Sequence, residues 1–202
     1  MTGFVPWVIA AGFLATGPTE ERLVDVPSLI PSLVVDLRYA TPDNFLKHAV
    51  YPSNAQCLLR ESVAKRLARV ATALEKEALR LKIYDCYRPL AVQVEMWKIF
   101  PHEGYVANPS KGGNHNRGAA VDLTLVDADG KELEMPTPFD TFSKAAHHGS
   151  PLPSKVAQGN RDRLLDAMKA EGFRPNPKEW WHYDAPNAKR FSVLDQPFPS
   201  RP

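Results

Sequence analysis

Val63, Leu67, Val70 and Leu74 recur at steps of three and four, with Lys65, Arg69, Glu75 and Lys76 between them. This spacing predicts an amphipathic helix over residues 61–80 with a solvated outer face. Residues 81–86 (LKIYDC) then alternate and predict a strand, stopped by Pro89. A second helix is expected over 90–100, a strand over 119–126, and a hairpin-like turn at Asp127-Ala128-Asp129-Gly130. A third helix is expected over 161–171, closed by Gly172 at its C-terminal boundary. Residues 181–184 read as short and extended. A β-branched run within 27–39 predicts one more strand, followed by a turn at 41–44. Helices and strands mix without regular β-α-β alternation. The predicted class is therefore α+β, with helices packed on an antiparallel sheet.

Composition narrows this picture little. A chain of 202 residues with 44% hydrophobic and 24% charged side chains suits one folded domain. A net charge of +2 without a basic stripe gives no case for nucleic acid. The 19 prolines crowd after Gly149 and near the C-terminus, where ordered irregular loops are expected. Residues 4–15 (FVPWVIAAGFLA) are apolar but too short to span a membrane. They have the length of a secretory core, though no Lys or Arg precedes them. The expected organisation is an N-terminal apolar segment over 1–25 and one domain over 26–202, with periplasmic or exported location favoured over cytoplasmic and no stable membrane anchor.

Cys57 and Cys86 lie 29 residues apart. In a reducing compartment they are two thiols; in an oxidising one they are a disulfide, worth roughly 3–4 kcal/mol in the chain-entropy model. Their spacing does not match a CxxC motif.

Three stretches carry chemistry. In "NHNRGAAVDL", His115 precedes a strand in which Asp122 shares a face with Ala120 and Thr124. Small neighbours leave room beside the carboxylate, and Gly118 permits a tight turn. Alone, the stretch is equally a His–Asp pair steadying a turn. In "KEWWHY", Glu179 and His182 stand three apart among aromatics, which alone is an aromatic patch with polar rims. Together the stretches hold enough donors for a catalytic zinc site, in which His115, Asp122 and His182 can be the ligands and Glu179 the base. In "YDCYRPL", Arg88 is placed to stabilise an oxyanion, or merely to make a surface salt bridge. His102, His147 and His148 look metal-like, but adjacent histidines diverge in extended chain, and a loop role is expected, with a place on the cleft wall as the alternative. His48 is expected at the surface.

The pattern H-x-x-G-x-A-x-D (His115, Gly118, Ala120, Asp122) followed by E-W-W-H (Glu179 to His182) resembles the zinc-dependent D-alanyl-D-alanine dipeptidases of peptidase family M15. The likeness also takes in "DLRYATPDNF", "DCYRP", "RGAAVDLTL" and Phe139-Asp140. It implies the α+β fold shared with related carboxypeptidases and the hedgehog signalling domain. It also implies one Zn²⁺ on His115, Asp122 and His182, with Glu179 as general base and Arg88 on the tetrahedral intermediate. Asp140 and Tyr39 match positions near the substrate's free ammonium group, and the implied substrate is a small D,D-dipeptide. One departure stands out: the family's serine two residues before the first zinc histidine is Gly113 here. Rival readings are a zinc D,D-carboxypeptidase or peptidoglycan endopeptidase with an open cleft, and a non-catalytic zinc-binding module. A non-haem iron oxygenase ranks last, because its close ligand spacing is missing.

Overall fold

The computed structural model describes residues 21–199. The apolar run at 4–15 lies outside them. Seven strands and three α-helices follow in chain order: β1 (Leu23–Asp25), β2 (Val34–Val35), β3 (Leu58–Arg60), α1 (Glu61–Glu75), β4 (Arg80–Asp85), α2 (Leu90–Ile99), β5 (Ala120–Val126), α3 (Lys155–Ala170), β6 (Arg174–Asn176) and β7 (Glu179–Asp184). Five strands form one sheet in the order β2-β4-β5-β7-β6, and β1 pairs with β3 in a small antiparallel ribbon. The α+β class holds. The main sheet is antiparallel except at one edge, where β2 runs parallel to β4.

α1 buries Val63, Leu67, Val70 and Leu74, as the pattern predicts. It ends at Glu75, short of residue 80, where Leu79 N–H bonds back to Leu74 and Ala78 takes φ +56°. α3 starts earlier than predicted. Ser154 accepts from the Ala157 N–H at 3.0 Å and caps the helix, a signal masked by Gly159 and Asn160 inside the first turns. The expected strand over 27–39 is reduced to Val34–Val35 between two single-turn 3-10 segments. Pro27 and Pro31 supply no N–H for a ladder, so only a short edge pairing survives. The ribbon strand β1 falls within the segment that the sequence set apart as N-terminal.

α1 and α3 contact each other and the sheet, and the main core lies between them. All seven β5 residues are buried, so the strand is covered on both faces, not one. Its second face is what the functional cavity uses. Among the described residues, no helix is long and apolar enough to cross a membrane.

Candidate metal and active site

One cavity of about 230 Å³ opens over the centre of the sheet. His115, Asp122, His182, Glu179, Arg88, Asp140 and Tyr39 all contribute to its wall. The seven come from segments far apart in sequence, and two strand irregularities bring them together.

The first lies between β4 and β5. Ile83 pairs with Leu123, but Asp85, not Tyr84, stands opposite Asp122, so Tyr84 is an extra residue in a bulge. Asp85 is thereby set beside Asp122. The second lies in β7. Residues three apart in a regular strand face opposite ways. Here Pro175 pairs with Tyr183 while Asn176 pairs with Glu179, and the irregular stretch turns both Glu179 and His182 to the cavity.

His115 begins a single 3-10 turn ended by Gly118 at φ +63°. The left-handed φ favours glycine, and a Cβ there would lie 2.5 Å from Leu23 Cδ2, so the leucine tip would have to shift. His115 Nδ1 lies 2.7 Å from the Cys86 carbonyl oxygen. A carbonyl only accepts, so Nδ1 carries the proton and Nε2 presents a lone pair. His182 Nε2 donates likewise to the Asp184 carboxylate at 3.1 Å, leaving Nδ1 as the inward atom. These outer partners fix each ring's tautomer and direction.

The inward atoms form a tight triangle. His182 Nδ1 is 2.9 Å from Asp122 Oδ1, His115 Nε2 is 3.3 Å from the same oxygen, and the two nitrogens are 3.1 Å apart. Three acceptors this close repel unless a cation sits among them. Tetrahedral zinc with bonds of about 2.0–2.1 Å has ligand–ligand edges of about 3.3 Å, which the triangle nearly matches. The donor set therefore fits a divalent metal. Without one a proton must serve: burial opposes charge on His182, but Asp122 and Asp184 outweigh it and raise its pKa well above the ordinary value. Burial likewise opposes ionisation of Asp122, but the two imidazoles hold its pKa far below the usual range.

Glu179 Oε2 accepts from Asn176 Nδ2 at 2.7 Å and lies 4.0 Å from His182 Nδ1. It is near the metal triangle without belonging to it. Burial, then Asp122 and Asp140, push its carboxyl up to about 8 against the relief given by His182 and Asn176. Asp140 is raised to about 7 by burial and Asp122, although the Phe45 N–H and Tyr39 hydroxyl both donate to it.

Arg88 is buried and held on two sides. Nε and Nη2 donate to Asp85 Oδ2 at 3.1 and 2.6 Å, and Nη1 donates to Gln93 Oε1 at 2.8 Å. Its carbon lies 5.1 Å over the Tyr39 ring. It is thus a buried ion pair, not a surface one. Asp85 is held in turn by the Tyr51 hydroxyl and the Cys86 N–H. Cys86 is joined to Cys57 by a disulfide, so the covalent link reaches the same short segment that holds both His115 and Arg88.

Asp85, Gln93, Asn176 and Asp184 escaped the sequence reading. Asp85 was visible only as an acid three residues before Arg88, and Asp184 as one two residues after His182. Gly113 also lines the cavity, where an added Cβ would come within 3.1 Å of Ala107 Cβ and 3.2 Å of Asn116 Oδ1. A side chain here would press Ala107 and Asn116 by a few tenths of an ångström. Histidines 48, 102, 147 and 148 do not line the cavity. His148 packs 5.8 Å from the Tyr183 ring, and His48 pairs with Glu95 at the surface.

These shifts give the metal-free protein a pH signature. Glu179 keeps its proton from its ordinary 4.5 up to about 8, and Asp140 from 3.8 up to about 7. In those windows the native state binds more protons than the unfolded chain, so stability falls as pH rises, by about 1.4 kcal/mol per unit for each group. His148, lowered to about 4 by burial and Arg161, acts oppositely but only below its ordinary 6.5. His182, whose pKa is raised well above its ordinary 6.5, adds to the fall. The melting temperature of chelator-treated protein should therefore drop between pH 6.5 and 8, and Glu179→Gln should make the drop shallower without removing it. A wild-type profile that is level or rising there rejects the assignment.

Comparison with known proteins adds a finding independent of this geometry. Residues 19–202 match the family model described as D-ala-D-ala dipeptidase, peptidase M15. A protein of Escherichia coli K12 named D-alanyl-D-alanine dipeptidase is 37% identical over 88% of this chain and 91% of its own length. Proteins of the same name from Enterococcus faecium and Enterococcus faecalis are 31% and 30% identical, covering 82% and 89% of this chain and 88% and 95% of theirs.

Proposed function

The chain belongs to the D-Ala-D-Ala dipeptidase family of M15 peptidases, and on that footing we propose that it hydrolyses D-Ala-D-Ala to two molecules of D-alanine with one zinc ion held by His115, Asp122 and His182. It is a metallopeptidase by family; the identity of the metal and the residue roles are our reading. What carries that reading is one juxtaposition. A three-ligand triangle, an unligated buried glutamate and a buried arginine with spare donors share a cavity of dipeptide scale.

Zinc bound there supplies Lewis acidity, making hydroxide available near neutral pH and drawing charge from the substrate carbonyl. Glu179 takes the proton of the attacking water and returns it to the leaving amine. Its raised pKa belongs to the metal-free site; a nearby dication favours the carboxylate that a base needs. Arg88 has five N–H donors, of which three are engaged, leaving two for the carbonyl oxygen as it gains charge. Asp140, steadied by Tyr39, receives the substrate ammonium. A carboxyl held up by burial gains strongly from an incoming cation, and an acylated amine would forfeit that pairing. The disulfide supports an exported, periplasmic setting.

The reading is tested by giving zinc-loaded protein D-Ala-D-Ala and, separately, a pentapeptide ending in D-Ala-D-Ala. Release of D-alanine from the dipeptide alone is expected. Release from the pentapeptide alone would make the protein a carboxypeptidase, and stoichiometric zinc without hydrolysis of either would make it a binding module.

A further inference from the structure

A free dipeptide carries a carboxylate as well as an ammonium, and the groups assigned so far leave the carboxylate without a partner. The charged cavity residues besides the histidines are Asp122, Asp140, Glu179, Asp184, Arg88 and Lys189. Arg88 is committed to Asp85 and Gln93 on one side and to the reacting carbonyl on the other. Lys189 makes no side-chain hydrogen bond or ion pair with any described residue.

Lys189 is exposed but not loosely held. It sits in the 3-10 turn Ala188–Arg190, whose Ala188 is buried and whose entry residue Asn187 takes φ +58°. The chain leaving that turn is tied to the His115 segment. Arg117 Nη1 donates to the Phe191 carbonyl, and the Leu194 N–H donates to the Asn116 carbonyl at 2.8 Å. Val193 closes over Gly112, where an added Cβ would lie 2.5 Å from Val193 Cγ2. Gly112 and Lys189 both line the cavity. Asp140, by contrast, is held by Tyr39 and Phe45, in a different part of the chain.

Resting on the dipeptidase reading, we propose that Lys189 is a specificity-determining residue that receives the free C-terminal carboxylate of the substrate. Asp140 and Lys189 then read the two ends of one zwitterion. A substrate lacking either terminal charge loses one of these two partners, both of which line the same cavity.

The test compares wild type, Lys189→Met and Lys189→Arg, all zinc-loaded, on D-Ala-D-Ala and on its C-terminal amide. Lys189→Met should raise KM for the acid by on the order of 10-fold, the loss of one charge-assisted hydrogen bond, with kcat nearly unchanged. The amide should be indifferent to the substitution, and Lys189→Arg should recover the acid. Equal losses on both substrates, or on neither, overturn the proposal. Should wild type hydrolyse neither compound, the dipeptidase reading itself fails. Calorimetric binding of the same two compounds then decides the lysine: weakening of the acid alone by Lys189→Met upholds its role, and any other pattern rejects it.

Discussion

Glu179→Gln should lower kcat by about 10²–10⁴-fold, the range of a positioned general base, while the protein keeps its full complement of metal. The substitution is nearly isosteric. Its amide oxygen can still accept from Asn176 Nδ2, which Glu179 Oε2 meets at 2.7 Å. What disappears is the capacity to take a proton. The 4.0 Å from Glu179 to His182 Nδ1 places the carboxylate beside the metal triangle and outside it, so metal should bind without it. Metal content by mass spectrometry and kcat on D-Ala-D-Ala, measured on one preparation, decide the point. Retained activity sinks the base assignment. Loss of metal together with activity would make Glu179 a ligand.

The second large effect is at Arg88. Arg88→Met should reduce kcat by about 10²–10³-fold, as for removal of one oxyanion donor. It should also destabilise the fold by about 3–5 kcal/mol, because it strands a buried charge. Asp85 has no exposed surface, and two of its bonds come from this one guanidinium. The two effects can be separated. Adding Asp85→Asn removes the stranded charge, while the amide oxygen can still accept from the Tyr51 hydroxyl and the Cys86 N–H. The double variant should regain much of the lost stability in urea melts without regaining kcat. Recovery of kcat along with stability would reduce Arg88 to a structural ion pair.

Much of this site was legible in the chain. Helical spacing marked α1 well, since a covered helix face must be apolar at steps of three and four. The composition of two short stretches singled out His115, Asp122 and His182, which the structure brings together as a possible metal site, with Glu179 beside them, because few residue types can bind zinc. Edges were less legible. The 27–39 run has strand-like side chains, but its prolines cannot supply a ladder, and Ser154 capped a helix whose first turns hold a glycine.

The residue types and their order along the chain therefore determined which atoms were available: two imidazoles, a carboxylate, a base and a guanidinium. The tertiary structure decided which way they face. A strand of regular period would point Glu179 and His182 to opposite sides, and an unbulged β4 would set Tyr84, not Asp85, against Asp122. Side-chain direction in a sheet depends on register, and register is a property of the pair. No local pattern in β4 could have shown where β5, distant in sequence, would force the extra residue, and in β7 the shift appears only in the pairing with its hairpin partner β6.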